Sequence, residues 1–421
     1  MKRFAAVRVL VFALALYGVA AVAVTAQTPK RPLTIDDLLK VRRVGDPQLS
    51  PDGKWIAYQI SDPDKEANRS RTQIYLVSIA GGQPIQLTTG ESSASSPRWS
   101  PDGRRIAFVR GGQIHTMDAR GGDIKKVTSI STGAGDPVWS PDGRMLAFVS
   151  DIYPDCRDDA CNQKRDADAE ASKVKAKTID RLLFRHWTAF KDGKRTHVFV
   201  VSADGASAAR DMTPGDYDAP PFSLGGQTDY AFSPDSRELA FARNTEKVEA
   251  TSTNNDIFIV PLAGGDAVRL TGDNPGSDQS PLYSPDGRYL AYRSQATAGF
   301  ESARWRLMIY DRQTRKTREL TSKFDAYVDG FTFTPDGKSI YFVSGERGRQ
   351  PLYMLSINDG QLTKVFDGFN DDVRVAPDGE TLVFTRSSSI QPTEIYRYDF
   401  EGGHRVVAQI TRTNDAFMAN F

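Results

Sequence analysis

The chain has few of the residues that carry chemistry. Only two of its 421 residues are cysteine, Cys156 and Cys161, and only four are histidine: His115, His186, His197 and His404. Two cysteines suffice for one disulfide or part of a metal site, and no nearby histidine pair completes the latter. No Gly-x-Ser-x-Gly elbow occurs, no His-Glu-x-x-His helix and no phosphate-cradling Gly-x-x-x-x-Gly-Lys loop. An excess of one charge is lacking too. With 54 basic and 53 acidic residues the formal charge is +1, which gives no reason to expect a nucleic acid or an anionic membrane as partner. The longest apolar run, Val9–Val24, has 16 residues and falls short of the roughly 20 needed to cross a bilayer.

That run follows Lys2, Arg3 and Arg8 and precedes Val24-Thr25-Ala26, a small-residue cleavage pattern. Residues 1–26 therefore read as a secretory signal, cleaved near Ala26, and the mature chain is expected in a periplasm or outside the cell without stable membrane insertion. In such an oxidising compartment the default for Cys156 and Cys161 is a disulfide. Closing so short a loop stabilises by roughly 2 kcal/mol on a chain-entropy view.

What the chain has in abundance is one phrase, written seven times. It reads Ser50-Pro51-Asp52-Gly53, Ser100-Pro101-Asp102-Gly103, Ser140-Pro141-Asp142-Gly143, Ser233-Pro234-Asp235-Ser236, Ser284-Pro285-Asp286-Gly287, Thr334-Pro335-Asp336-Gly337 and Ala376-Pro377-Asp378-Gly379. Proline presets φ, aspartate bonds back to the backbone, and glycine accepts positive φ, so each phrase is a tight turn. An apolar strand follows every turn, as in Ile106-Ala107-Phe108-Val109. A second hairpin follows in turn, ending on pairs such as Val127-Thr128, Met212-Thr213, Leu320-Thr321 and Ile410-Thr411. Four short antiparallel strands per unit make a propeller blade.

The repeat predicts an all-β, seven-bladed propeller over residues 46–411, preceded by a lead-in segment at 27–45. No strand is shared between the chain ends, so closure is expected to rest on side-chain packing between the first and last blades. Successive turn prolines lie 50, 40, 93, 51, 50 and 42 residues apart. The long gap holds only one further hairpin, so its charged excess, about 151–194, reads as an insertion in blade 3. Ser236 replaces a turn glycine, and a serine at positive φ costs on the order of 1 kcal/mol. Ser236→Gly is therefore expected to be neutral or stabilising.

Two segments rise above the background. Phe184-Arg185-His186-Trp187 places a charge, an ionisable ring and an aromatic together at the end of the insertion, where repeat folds often carry function. The competing reading is that Phe184 and Trp187 pack on blade 3. Gly299-Phe300-Glu301 with Arg304 in blade 5 offers either a Glu301–Arg304 salt bridge or a ligand-reading pair. The acidic run Asp166, Asp168 and Glu170 matches a calcium loop poorly, lacking the glycine and the terminal glutamate, and reads as a solvated loop. No metal site, cofactor or catalytic residue is assigned.

Taken together, the turns, the Phe184–Trp187 segment with Lys191-Asp192-Gly193-Lys194, Gly299-Phe300-Glu301 with Arg304, and Pro32-Leu33-Thr34-Ile35-Asp36-Asp37-Leu38-Leu39 resemble the propeller of the prolyl oligopeptidase family of serine peptidases. The secreted dipeptidyl peptidase and acylaminoacyl-peptidase branch is the most similar. The resemblance implies a propeller that gates and docks peptides over an α/β-hydrolase domain. Residues 412–421 would begin the linker to that domain, which lies outside this chain, so the chain alone is expected not to hydrolyse peptides. It further implies that propeller carboxylates bind the substrate's amino terminus. Glu170, Arg185, His186, Trp187, Glu301 and Arg304 are the substrate-binding candidates, with Asp166 and Asp168 beside them. Surface meant for the hydrolase would be exposed, which leaves a homo-oligomer open. The alternative is a free-standing periplasmic TolB-like propeller that binds proteins.

Overall fold

The computed structural model describes residues 30–222, 227–401 and 404–421. The proposed signal, 1–26, lies outside the described residues. Seven four-stranded antiparallel sheets follow one another along the chain. Blade 1 is built from Arg43–Leu49, Trp55–Asp64, Arg69–Ser78 and Ile85–Gln86. Blade 4 is built from Tyr230–Phe232, Glu238–Asn244, Asn255–Pro261 and Val268–Arg269. Blade 7 is built from Phe369–Val375, Thr381–Ser388, Gln391–Glu401 and His404–Gln409. Among the described residues no sheet takes strands from both chain ends, and only blade 3 carries a long insertion. Its second strand, Met145–Ile152, pairs with Arg195–Ser202 across the insertion, which starts just past Ile152.

The second strand of each blade explains why the sheets form a ring. Residues alternate faces along a strand, and the recurring triplet there is large, small, large: Ile56-Ala57-Tyr58, Ile106-Ala107-Phe108, Leu146-Ala147-Phe148, Leu239-Ala240-Phe241. Ala57 packs in one cluster with Ile106 and Phe108 of the next blade, and Ala107 with Leu146 and Phe148 of the one after. A small face on one sheet thus receives the bulky face of its neighbour. Seven buried clusters among the described residues each straddle two adjacent blades. The last joins Val383, Ile395 and Ile410 of blade 7 to Val44, Ile56 and Tyr58 of blade 1.

The repeated turns form a second ring. In six of them the serine or threonine hydroxyl donates to the turn aspartate, at 2.5–2.7 Å. The same hydroxyl accepts the backbone N–H five residues on. A Cβ placed on a turn glycine would lie 3.1–4.0 Å from the turn proline of the preceding blade, and Gly53 meets Pro377 in this way. Ser236, at φ 56°, makes the equivalent link differently: its hydroxyl accepts the Asp142 N–H at 3.1 Å. The closing threonines also have a purpose. Thr88, Thr128, Thr213, Thr271, Thr321 and Thr411 each accept a third-strand N–H at 2.8–3.0 Å.

Packing between blades 1 and 7 is supplemented by a polar clasp between the chain ends. The Asn414 side chain accepts from the Arg42 N–H (3.0 Å) and donates to the Arg42 carbonyl (2.9 Å), as a paired strand residue would. The buried Glu394 carboxylate accepts from the Asn414 N–H (2.9 Å) and the Thr411 hydroxyl (2.6 Å). No helix among the described residues is long and apolar enough to cross a membrane.

Candidate functional site

The insertion of blade 3 folds into a short scaffold above the sheet. Asp158 caps the helix Asp159–Ala171 by accepting the Cys161 N–H, and the Cys156–Cys161 disulfide ties its first turn to the incoming chain. Asp159 anchors the helix to the loop before blade 3 by accepting from the Ser131 N–H and hydroxyl. Asp166 accepts from the Tyr153 hydroxyl (3.1 Å) and from Lys194 (2.8 Å). Burial, reinforced by that bond to Asp166, pushes the Tyr153 phenol up to about 12. The acidic run Asp166, Asp168, Glu170 is thus helical. The loop expected there is corrected: Asp158 supplies a cap that only the residues upstream of the run reveal.

A two-stranded hairpin, Arg185–His186 with Ala189–Phe190, forms the opposite wall. The His186 ring stacks on Phe222 at 3.7 Å and 9°. Burial, with Lys191 nearby, lowers the His186 imidazole's pKa. Between helix and hairpin lies a cleft of about 1060 Å³, whose lining includes Tyr153, Glu170, Asp180, His186, Lys191 and Phe222. Its floor is an ion network. Arg195, buried, donates to Glu249 (2.6 Å), Asp216 (3.0 Å) and Asp218 (3.4 Å), and Lys191 pairs with Asp218 and Glu249. Hydrogen bonds from Arg181 hold the Asp216 carboxylate well below the usual range. Glu170 and Asp180 line the same cleft, and among the described residues neither carboxylate pairs with a base, although Lys175 donates to the Glu170 main-chain carbonyl (3.0 Å).

The structure brings Asp166, Glu170 and His186 to one cleft and leaves the remaining candidates out of its lining. Arg185 and Trp187 do not line the cleft; Trp187 is 78% exposed, at φ 48°, and does not pack on blade 3. The Glu301–Arg304 bridge does not form. Arg304 turns to Glu319 on the next strand pair (2.8 Å) and to the Thr321 and Phe324 carbonyls, while Glu301 is exposed. Asp168 pairs with Lys164 along the helix. Lys191 entered the sequence reading only as part of the Lys191-Asp192-Gly193-Lys194 turn, and Arg195, Asp218 and Glu249 were not singled out, although Asp216-Tyr217-Asp218 shows the density of acid that could have drawn attention.

The histidines and cysteines form no reactive pair among the described residues. His197 is buried between the Asp211 carboxylate (2.7 Å) and the Gly215 carbonyl (2.9 Å), and His115 meets the Gln113 carbonyl. The side chain of His404 lies outside the described residues.

Comparison with known proteins bears on this arrangement. The family described as TolB beta propeller domain matches residues 40–164. Dipeptidyl-peptidase 5 of Porphyromonas gingivalis is 30% identical over 404 residues, covering 92% of this chain and 56% of that protein. The Porphyromonas endodontalis protein of the same name is 32% identical over 405 residues, covering 94% and 57%. The chain thus spans little more than half the length of these relatives. Among solved structures, Pyrococcus horikoshii acylaminoacyl peptidase aligns with TM-score 0.68 at 19% identity, over 90% of this chain and 54% of that one. The β-propeller domain of the Trilobed protease from Pyrococcus furiosus, described as having an open velcro topology, aligns with TM-score 0.60 at 17% identity over 89% and 97%. These structures share the ring of blades. The chain is a seven-bladed β-propeller related to dipeptidyl-peptidase 5.

Proposed function

We propose that the chain is the non-catalytic propeller of a secreted peptidase of this family, and that it docks peptides by their free amino end in the cleft under the blade 3 insertion. The observation that carries this reading is the pairing pattern. Nearly every charge on the cleft floor has an internal partner, whereas Glu170 and Asp180 keep free carboxylates beside the His186–Phe222 wall. A peptide ammonium would make charge-assisted hydrogen bonds to those carboxylates, and its first side chains would meet the aromatic wall. The cleft volume suits a short peptide. Chemistry on the bound peptide would come from a hydrolase domain, as the family resemblance implies. Leu33, Ile35 and Leu38, exposed near the chain ends, offer apolar surface for it.

Calorimetric titration tests the reading. Tripeptides with a free amino end are expected to bind, and their N-acetylated forms to bind at least tenfold more weakly. A Glu170→Gln, Asp180→Asn double variant should lose binding by 10- to 100-fold, at about 1.5–3 kcal/mol for a charge-assisted bond. Equal affinity for free and acetylated peptides would remove the proposal. Secretion is checked separately, by sequencing the amino terminus of the protein recovered from the periplasm. The match to the TolB propeller family supports a second reading, a protein-binding propeller of the envelope. Capture of one defined envelope protein, undiminished by the double variant, would favour it.

A further inference from the structure

Outer strands are the weak point of any blade, because their unpaired N–H and C=O groups invite another strand. In blades 1 to 4 the outer strands are two residues long: Ile85–Gln86, Lys125–Lys126, Arg210–Asp211 and Val268–Arg269. Blade 5 has four, Lys316–Glu319, studded with charge, and blade 6 has five, Leu362–Phe366, with Lys364 at its centre. Blade 7 breaks this rule. Its outer strand, His404–Gln409, is six residues long, pairs with Gln391–Glu401 without a register shift, and has Val406-Val407-Ala408 at its middle. Val406 is 50% exposed and Val407 40% exposed, and Phe400 on the neighbouring strand is also half exposed.

We propose that this edge is an isologous interface through which two copies of the chain pair, extending blade 7 of each into one sheet. The phase of the ladder supports the geometry. The Ile410 N–H donates to the Ile395 carbonyl (2.8 Å), and the register runs unbroken from there to His404 opposite Glu401. Antiparallel pairs alternate, so Val406 and Ala408 use their backbone groups inward while Arg405, Val407 and Gln409 present theirs outward. A two-fold axis through Val407 then sets Val407 against its own copy, Val406 against Ala408, and Arg405 against Gln409. No like charges oppose one another, and the centre is apolar. A second copy fits this edge better than an unrelated peptide because the five residues Arg405–Gln409 are complementary to their own reverse.

An interface of one strand pair is small, and a weak dimer in the micromolar range is expected. Sedimentation velocity on the purified full chain across a hundredfold concentration range reads it directly. The wild-type chain should shift toward dimer with concentration. Val407→Glu and Val407→Lys each place like charges across the axis and should stay monomeric at every concentration. An equimolar mixture of the two should regain the dimer, because the charges now oppose in sign. Thr317→Glu, on the guarded edge of blade 5, serves as the control and should behave as wild type. A wild-type chain that remains monomeric, variants that dimerise like wild type, or a mixture that fails to re-associate would each overturn the proposal. Thermal melts of both Val407 variants, expected to overlay that of wild type because the site is exposed, separate lost pairing from lost folding.

Discussion

At the scale of single residues, two kinds of aspartate pull stability in opposite directions with pH. Asp278 has no exposed surface and accepts from Asn274 at 3.0 Å. Burial raises its pKa to about 6, with bonds from Ser294, Thr271 and Asn274 opposing and the Asp256 charge assisting. A carboxyl whose folded pKa is raised contributes stability that is full below about pH 4 and is lost as pH rises through about 6. Asp278→Asn removes this dependence. The variant should gain roughly 3 kcal/mol relative to wild type between pH 4 and pH 8, read by urea melts at the two pH values; parallel curves would contradict it. The turn aspartates Asp52, Asp102, Asp235, Asp286 and Asp336 act the other way. Hydroxyl donation from the turn serine or threonine lowers their pKa values. Their contribution is present above about pH 4 and is lost below it as each protonates. Ser236 is a separate balance. Ser236→Gly relieves about 1 kcal/mol of strain but gives up the bond from the Asp142 N–H, worth about the same, so its melting point should stay near wild type. Ser236→Ala keeps the strain and loses the bond, and should melt lower than both; the reverse order would show that the inter-blade bond is idle.

At the scale of elements, the clasp at the ring seam decides more than any one blade. Asn414 supplies two half-buried, strand-like bonds to Arg42 and shares the buried Glu394 with Thr411. Asn414→Ala leaves the Arg42 N–H and the Arg42 carbonyl short of partners, while the backbone N–H at 414 still serves Glu394. A loss of about 2–4 kcal/mol is expected in thermal or urea denaturation; a loss below 0.5 kcal/mol would show that apolar packing alone closes the ring. The sequence reveals the blades but not this clasp, and the reason is separation. A Ser-Pro-Asp-Gly turn is solved by partners two to five residues away, so its meaning is local. Arg42 and Asn414 lie 372 residues apart, and nothing near either residue announces the other. The same contrast governs the candidate site. Glu301 and Arg304 are neighbours in the sequence, yet the strand geometry turns Arg304 to Glu319, fifteen residues on. Arg195 and Glu249, 54 residues apart, meet in the cleft floor. Glu170 and His186 were legible because the insertion that carries both stands out by length and charge. The helix under Glu170 was not, because its cap and its tether to Ser131 matter more than its composition.

At the scale of the whole molecule, the design is a ring of like sheets in which each neighbour contact is nearly the same as the next. Such a ring is cooperative everywhere except where the chain begins and ends. Six of the seven junctions are crossed by the continuous chain, and only the junction of blades 7 and 1 depends on packing, on the Gly53–Pro377 contact and on Asn414. That seam is therefore expected to be the lowest-energy opening of the fold.

Native-state hydrogen exchange, resolved blade by blade, tests this most directly. Amides of Arg43–Leu49 in blade 1 and Gln391–Glu401 in blade 7 should open at lower free energy than those of Glu238–Asn244 in blade 4, and Asn414→Ala should lower the first two further without touching the third. Equal protection around the whole ring, or an Asn414→Ala effect spread evenly over all seven blades, would contradict the account.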